Sequence, residues 1–152
     1  MVVPLPITPQ LQRQLEAWLL EDLGRGDLTA PALQGCHGAA HWIAKADGQF
    51  CGGVFLKPLV CALDPLAQVR LLVAEGERVA SGQRVLEVEG AATALVAVER
   101  TALNLAMRLS GIATATAALG AGLEGAGVRL ADTRKTTPGL RQLEKYAVRC
   151  GG

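Results

Sequence analysis

Val128-Arg129-Leu130-Ala131-Asp132-Thr133-Arg134-Lys135-Thr136-Thr137-Pro138-Gly139-Leu140 follows the run Gly125-Ala126-Gly127 and leads into Arg141-Gln142-Leu143. Val128, Leu130 and Ala131 form a brief apolar run, which predicts a buried parallel strand. Thr137-Pro138 predicts a helix start, because a threonine hydroxyl caps free N–H groups and proline has its φ preset for the first turn. Leu140, Leu143 and Ala147 then share one helical face. Arg134 and Lys135 are thus expected between the carboxyl end of a strand and the amino end of a helix. Free N–H groups and the helix dipole favour anions there. An ordinary solvated Arg–Lys pair in a βα loop fits the same pattern, and spacing alone does not choose between the two.

Upstream of this stretch, Leu95 to Leu109 carries Val98, Ala102, Leu105, Ala106 and Leu109 at helical spacing, and Ser110-Gly111 is expected to bend or end that helix. Ile112 to Leu123 is a second helical pattern, rich in Ala, Thr and Gly. Such small side chains permit close helix approach, as at a domain junction or subunit contact. Arg100, near the start of the first pattern, reads by spacing as a solvated side chain. At the amino end, Thr8-Pro9 repeats the capping device, Leu11, Leu15, Trp18 and Leu19 follow helical spacing, and Gly24 supplies a stop. Asp22 and Asp27 flank glycines in an acidic loop, where turn hydrogen bonds explain them better than a metal does.

The middle of the chain reads as strands and turns. Ala40, Trp42 and Ala44 alternate with His41, Ile43 and Lys45. Val54 to Leu63 predicts a short helix ended by Asp64-Pro65, and Val69 to Val73 and Arg84 to Glu89 predict strands about the turn Glu75-Gly76-Glu77. His37 and His41 have no acidic neighbour in sequence, so neither is assigned a role. Glu75 to Leu86 is similar to the first half of a biotinyl or lipoyl carrier domain. A carrier needs a lysine at its hairpin tip, and no lysine lies between Lys57 and Lys135. A structural β-hairpin is the remaining reading.

Bulk properties set outer limits. The chain has 152 residues, 50% hydrophobic and 19% charged, enough apolar content for a core. Aromatics are 3%, so packing relies on Leu, Val and Ala. A net charge of +1 argues against general nucleic-acid binding. From Arg129 to Arg149, however, six basic residues face two acidic ones, an excess suited to a small anion. For Arg141, Lys145 and Arg149 a solvated helix face is the favoured reading. Cys36, Cys51, Cys61 and Cys150 show neither a C-x-x-C pair nor a histidine at zinc spacing, which points to a reduced, cytoplasmic setting and no metal site. Met1 to Gln10 lacks signal-peptide character, and no apolar run approaches the ~18 residues of a membrane span.

Three motifs in fixed order add a resemblance. Asp132-Thr133-Arg134-Lys135-Thr136-Thr137-Pro138-Gly139-Leu140-Arg141, with Glu144-Lys145-Tyr146-Ala147-Val148 and Gly151-Gly152, resembles the signature of the quinolinate phosphoribosyltransferases, the carboxylating nicotinate-nucleotide pyrophosphorylases. Glu99-Arg100-Thr101-Ala102-Leu103-Asn104 with Leu109-Ser110-Gly111-Ile112-Ala113-Thr114 agrees, as does Glu21-Asp22-Leu23-Gly24-Arg25-Gly26-Asp27-Leu28-Thr29. The resemblance covers nearly all of this chain but only the amino-terminal half of the family's protein, stopping before its Asn-His-Arg motif.

The resemblance implies an α/β fold: an α+β open sandwich over residues 1–110, then the first βα unit of an incomplete β/α barrel over residues 111–152. It implies a reaction of quinolinate with phosphoribosyl pyrophosphate, giving nicotinate mononucleotide, pyrophosphate and carbon dioxide in NAD biosynthesis. Thr133, Arg134 and Lys135 would line the quinolinate pocket. Arg100 resembles the arginine that family members insert into a partner's pocket, which implies a homodimer or higher homo-oligomer. Mg²⁺ would accompany phosphoribosyl pyrophosphate, held mainly by family residues beyond those matched here. One βα unit cannot close a barrel, so this chain alone is expected to be inactive. A non-catalytic dimerising sandwich module and the molybdenum-transport paralogue of the same fold are the alternatives.

Overall fold

The computed structural model describes residues 2, 5–24, 26 and 28–152. Helix α1, Pro9–Leu23, begins where the capping pattern predicts: Thr8 Oγ1 accepts the Leu11 N–H at 3.2 Å, and Gly24 closes the other end. Its Leu11, Leu15 and Leu19 are buried. Strands β1 (His37–Ile43), β3 (Gln68–Leu71) and β5 (Arg84–Ala91) form one antiparallel sheet in the order β1-β5-β3, with Trp42 opposite Leu86 and Val69 opposite Val88. Strands β2 (Gly48–Gln49) and β4 (Arg78–Val79) form a second. The two strands expected about the Glu75-Gly76-Glu77 turn, β3 and β5, do pair antiparallel, while the segment between them adds β4, which pairs with β2 instead. Residues 54–63 form a single 3-10 turn, Gly53–Phe55, running into helix α2, Leu56–Cys61. Asp64 follows, accepting the N–H groups of Leu66 and Ala91, which holds its carboxyl below the usual range.

Helix α3, Ala92–Gly122, is the spine of the molecule, 31 residues and roughly 46 Å long. It packs on α1, α2, both sheets and helix α4, Arg141–Cys150. The helix does not end at Ser110-Gly111 but runs on to Gly122. Ser110 turns its hydroxyl outward, donating to the Cys51 carbonyl and accepting the Cys51 N–H, both at 3.0 Å, so it does not compete with its own helix. Contrary to the sequence expectation, α3 is long and apolar enough to span a bilayer by length and composition. Ten of its side chains are nevertheless buried, and six of these, among them Val98, Leu105 and Leu109, belong to the hydrophobic core.

The strand expected at residues 128–131 is absent. Val128 is 57% exposed and Leu130 42% exposed, and neither sheet includes them. A parallel strand needs paired neighbours and covered faces, and both sheets of this chain are antiparallel and formed by other segments. The following helix also starts later than predicted, at Arg141, after a turn in which Gly139 takes φ 81°. Its far end is pressed against α3. A Cβ on Gly151 would stand 2.3 Å from the Ala113 carbonyl oxygen, so only glycine fits there. The class remains α/β, with open sheets not closed into a barrel.

Candidate functional site

The basic loop is held by side chains rather than by a sheet. Glu144, in the first turn of α4, turns back: one carboxylate oxygen accepts the Thr137 N–H at 3.1 Å and the other accepts from Arg108 of α3 at 2.5 Å. Arg108 also donates to Thr137 Oγ1 at 2.6 Å. The predicted helix-capping threonine thus serves as a fastening point between two helices. Partial burial opposes ionisation of Glu144, but the bonds from Arg108 and Thr137 outweigh it and hold the carboxyl below its usual range.

Two further α4 cations fasten the loop. Lys145 Nζ lies 2.7 Å from Asp132 Oδ1. Arg141 donates to Thr136 Oγ1 at 3.2 Å and to the Arg134 carbonyl at 3.4 Å. Arg141 thus stays on the exposed face expected of it while also bonding the loop, and Lys145 is half-buried against it. Arg149 lies over the Tyr146 ring, 5.6 Å from its centroid. On the other side Gln14 of α1 donates to the Gly139 carbonyl at 2.8 Å.

Within this frame Thr133 Oγ1 accepts the Lys135 N–H at 3.1 Å, and the Thr136 N–H donates to the Arg134 carbonyl at 3.0 Å. Thr133, Arg134 and Lys135 are all exposed. Among the described residues neither the Arg134 guanidinium nor the Lys135 ammonium has a hydrogen bond or ion pair, and the same holds for Arg129, whereas Arg108, Arg141 and Lys145 are engaged with the loop or its helix. Two unpaired cations on a braced loop can accept a planar dianion: arginine presents a fork to a carboxylate and lysine a compact charge. The expected strand-to-helix corner contributes nothing, since the strand is missing and α4 begins six residues after Lys135.

Arg100 lies elsewhere, on α3, with its side chain 75% exposed and its guanidinium 2.9 Å from Asp22 Oδ1 of α1. Asp22 and Arg108, with Trp18, Asn104 and Leu140, line a cleft of about 310 Å³ between α1, α3 and the start of α4. Arg134 and Lys135 do not line it. Asp27 falls outside the described residues. His37 and His41 are exposed on β1. His37 Nδ1 is 3.8 Å from Glu89 Oε1, and His41 stands opposite Glu87, acidic neighbours brought in by strand pairing and invisible in local sequence.

Arg108 and Glu144 are the residues that sequence reading missed. Their 36-residue separation hides the contact; Glu144 lies within a quoted motif, but Arg108 falls between two of them. The two carboxylates at the basic loop do not fit Mg²⁺. Asp132 and Glu144 are each bound to a cation already, and the one ligand-like cluster among the described residues, Cys51, Glu75 and Cys150, offers sulfur, which magnesium does not choose.

Comparison with known proteins agrees across the chain. The family model described as quinolinate phosphoribosyl transferase, N-terminal domain, matches residues 27–110, and its C-terminal-domain counterpart matches residues 112–152. The probable carboxylating nicotinate-nucleotide pyrophosphorylase of Bacillus subtilis (strain 168) is 44% identical over 146 residues, 94% of this chain and 50% of that protein. Quinolinate phosphoribosyltransferase (decarboxylating) 1 of Nicotiana glauca is 35% identical, covering 100% of this chain and 44% of its own. The solved nicotinate-nucleotide pyrophosphorylase of Francisella tularensis superposes with a TM-score of 0.91 at 34% identity, over 100% of this chain and 55% of that one. The chain spans about half the length of the curated relatives it matches. On these matches, and on motifs that fall where the fold fastens its basic loop, the chain belongs to the quinolinate phosphoribosyltransferase family.

Proposed function

We propose that this chain supplies the quinolinate-gripping loop and the amino-terminal sandwich of a carboxylating nicotinate-nucleotide pyrophosphorylase. The observation that carries the proposal is the pair Arg134 and Lys135, exposed and without a side-chain hydrogen bond or ion pair among the described residues, on a loop braced by Arg108, Arg141, Glu144 and Lys145. Quinolinate is a pyridine dicarboxylate. Arg134 takes one carboxylate in bidentate fashion, Lys135 neutralises the second, and the Thr133 hydroxyl donates beside them. Held so, the ring nitrogen is presented to the anomeric carbon of phosphoribosyl pyrophosphate. The nitrogen–carbon bond forms as pyrophosphate leaves with its electron pair. The carboxylate next to that nitrogen departs as carbon dioxide, leaving its pair on the ring carbon, which takes up a proton. Fixing two mutually repelling anions in line is what a cationic loop contributes.

Arg100 of a second copy would complete the pocket, which requires it to leave or share Asp22. An apolar groove of about 990 Å³ supports assembly. It runs along α3 beside β1 and β2, with Phe50, Leu103, Met107 and Ala115 in its wall. The same groove favours the second reading, a dimerising module without catalysis. Turnover needs a closed barrel, so the chain by itself forms no product from the two substrates. Two measurements test this account: product formation, expected at the blank level, and calorimetric titration with quinolinate and with nicotinate, which lacks one carboxylate. Quinolinate is expected to bind at least tenfold more tightly, since a charged hydrogen-bonded carboxylate contributes about 1.5–3 kcal/mol. Equal affinities would contradict the two-cation grip, and a dimer indifferent to both acids would favour the module.

A further inference from the structure

Cys51, Glu75 and Cys150 come from three distant segments: the turn before Gly53–Phe55, the turn between β3 and β4, and the last residue of α4. Their two sulfurs and a carboxylate oxygen lie within 4.8 Å of one another. Both cysteines are buried and unbridged, Cys51 at 0% and Cys150 at 2% exposure. Spacing in sequence gives no hint of this, because Cys51 and Cys150 are 99 residues apart.

We infer that Cys51, Cys150 and Glu75 form a binding site for a thiophilic divalent cation, zinc being the best match. Zinc bonds of about 2.0–2.3 Å to oxygen and sulfur put tetrahedral donors under about 4 Å apart, so small side-chain rotations close the site. Two sulfurs with one carboxylate select zinc over magnesium or calcium.

A second, independent feature calls for positive charge. Glu75 is half-buried and accepts from Gly52 N at 2.8 Å, Val54 N at 3.2 Å and Tyr146 Oη at 3.0 Å, yet it has no ion pair among the described residues. It also stands at the wrong end of a helix. The turn that carries it is pressed on the carboxyl terminus of α4, so that a Cβ on Gly76 would meet the Cys150 carbonyl oxygen at 2.8 Å. A carboxylate beside the negative end of a helix dipole is unfavourable, and a cation reverses the sign. Binding is balanced: zinc sheds waters, each thiol gives its proton to solvent, two zinc–sulfur bonds and one zinc–oxygen bond form, and the fourth position is left to water. The ion would tie α4, and with it the basic loop, to the sandwich.

The test uses the whole chain, stripped with a chelator under a phosphine reductant and then given zinc alone against a chromogenic zinc indicator. Uptake of one zinc per chain is expected, lost in Cys51→Ser and Cys150→Ser and kept in Cys36→Ser and Cys61→Ser. Glu75→Gln should weaken it at least tenfold. Cobalt(II) in the parent chain, a readout that needs no variant to fold, should show the intense near-ultraviolet band of cobalt–thiolate bonding. The inference is overturned by a chain that stays metal-free, by a cobalt complex without that band, or by zinc retained in a folded Cys51→Ser/Cys150→Ser double variant.

Discussion

Arg108 and Arg134 stand within one motif-rich region yet do different work. Arg108 bridges Glu144 and Thr137, whereas the Arg134 guanidinium has no hydrogen bond or ion pair among the described residues. Arg108→Ala should therefore lower stability by about 1 kcal/mol, discounted because the arginine is half exposed, while Arg134→Ala should stay within about 0.5 kcal/mol of the parent. Chemical denaturation midpoints separate the two, and equal losses would count against the bracing role. The fastening also depends on pH. Glu144 has its folded carboxyl pKa lowered from 4.5, so its contribution is fully present above the unfolded value and is lost as pH falls through the lower folded one. The protection of the Thr137 amide, its exchange rate relative to the unstructured rate at the same pH, should fall in that acid range in the parent. Glu144→Gln, lacking the titrating group, should show no such dependence.

Among the elements, those with a local signal were legible. The α1 cap, the buried Leu11, Leu15 and Leu19, and the strands near 69 and 84 follow from periodicity and turn chemistry. The failures share one cause: tertiary partners decided the outcome. Ser110-Gly111 reads as a helix break, but Ser110 spends its hydroxyl on Cys51. Residues 128–131 have strand propensity and no strand beside them. In the candidate site, the motif marked Thr133, Arg134 and Lys135, whereas the Arg108–Glu144 brace, joining residues 36 apart, is a product of folding. This contrast predicts opposite sensitivities. Leu109→Ala, in the buried face of α3, should cost about 2–5 kcal/mol. Leu130→Ser should be nearly neutral in thermal melts, within about 0.5 kcal/mol, and a large loss there would restore the buried-strand reading.

For the whole molecule, the exposed apolar face of α3 is the outstanding surface feature. Met107 is 61% exposed and borders the large groove. If that groove joins two copies, light scattering should give about twice the chain mass for the parent. Met107→Glu should return the monomer mass with little change in melting temperature, since charge is penalised only where the site is covered. A parent that is monomeric at all accessible concentrations would remove the route by which Arg100 reaches a neighbour's loop.

The proposed quinolinate grip depends most on Arg134 and Lys135. Calorimetric titration of quinolinate into the parent chain, Arg134→Ala and Lys135→Ala tests it directly. Each substitution should weaken binding at least tenfold while leaving the unfolding midpoint in place. Undiminished affinity in both variants would contradict it.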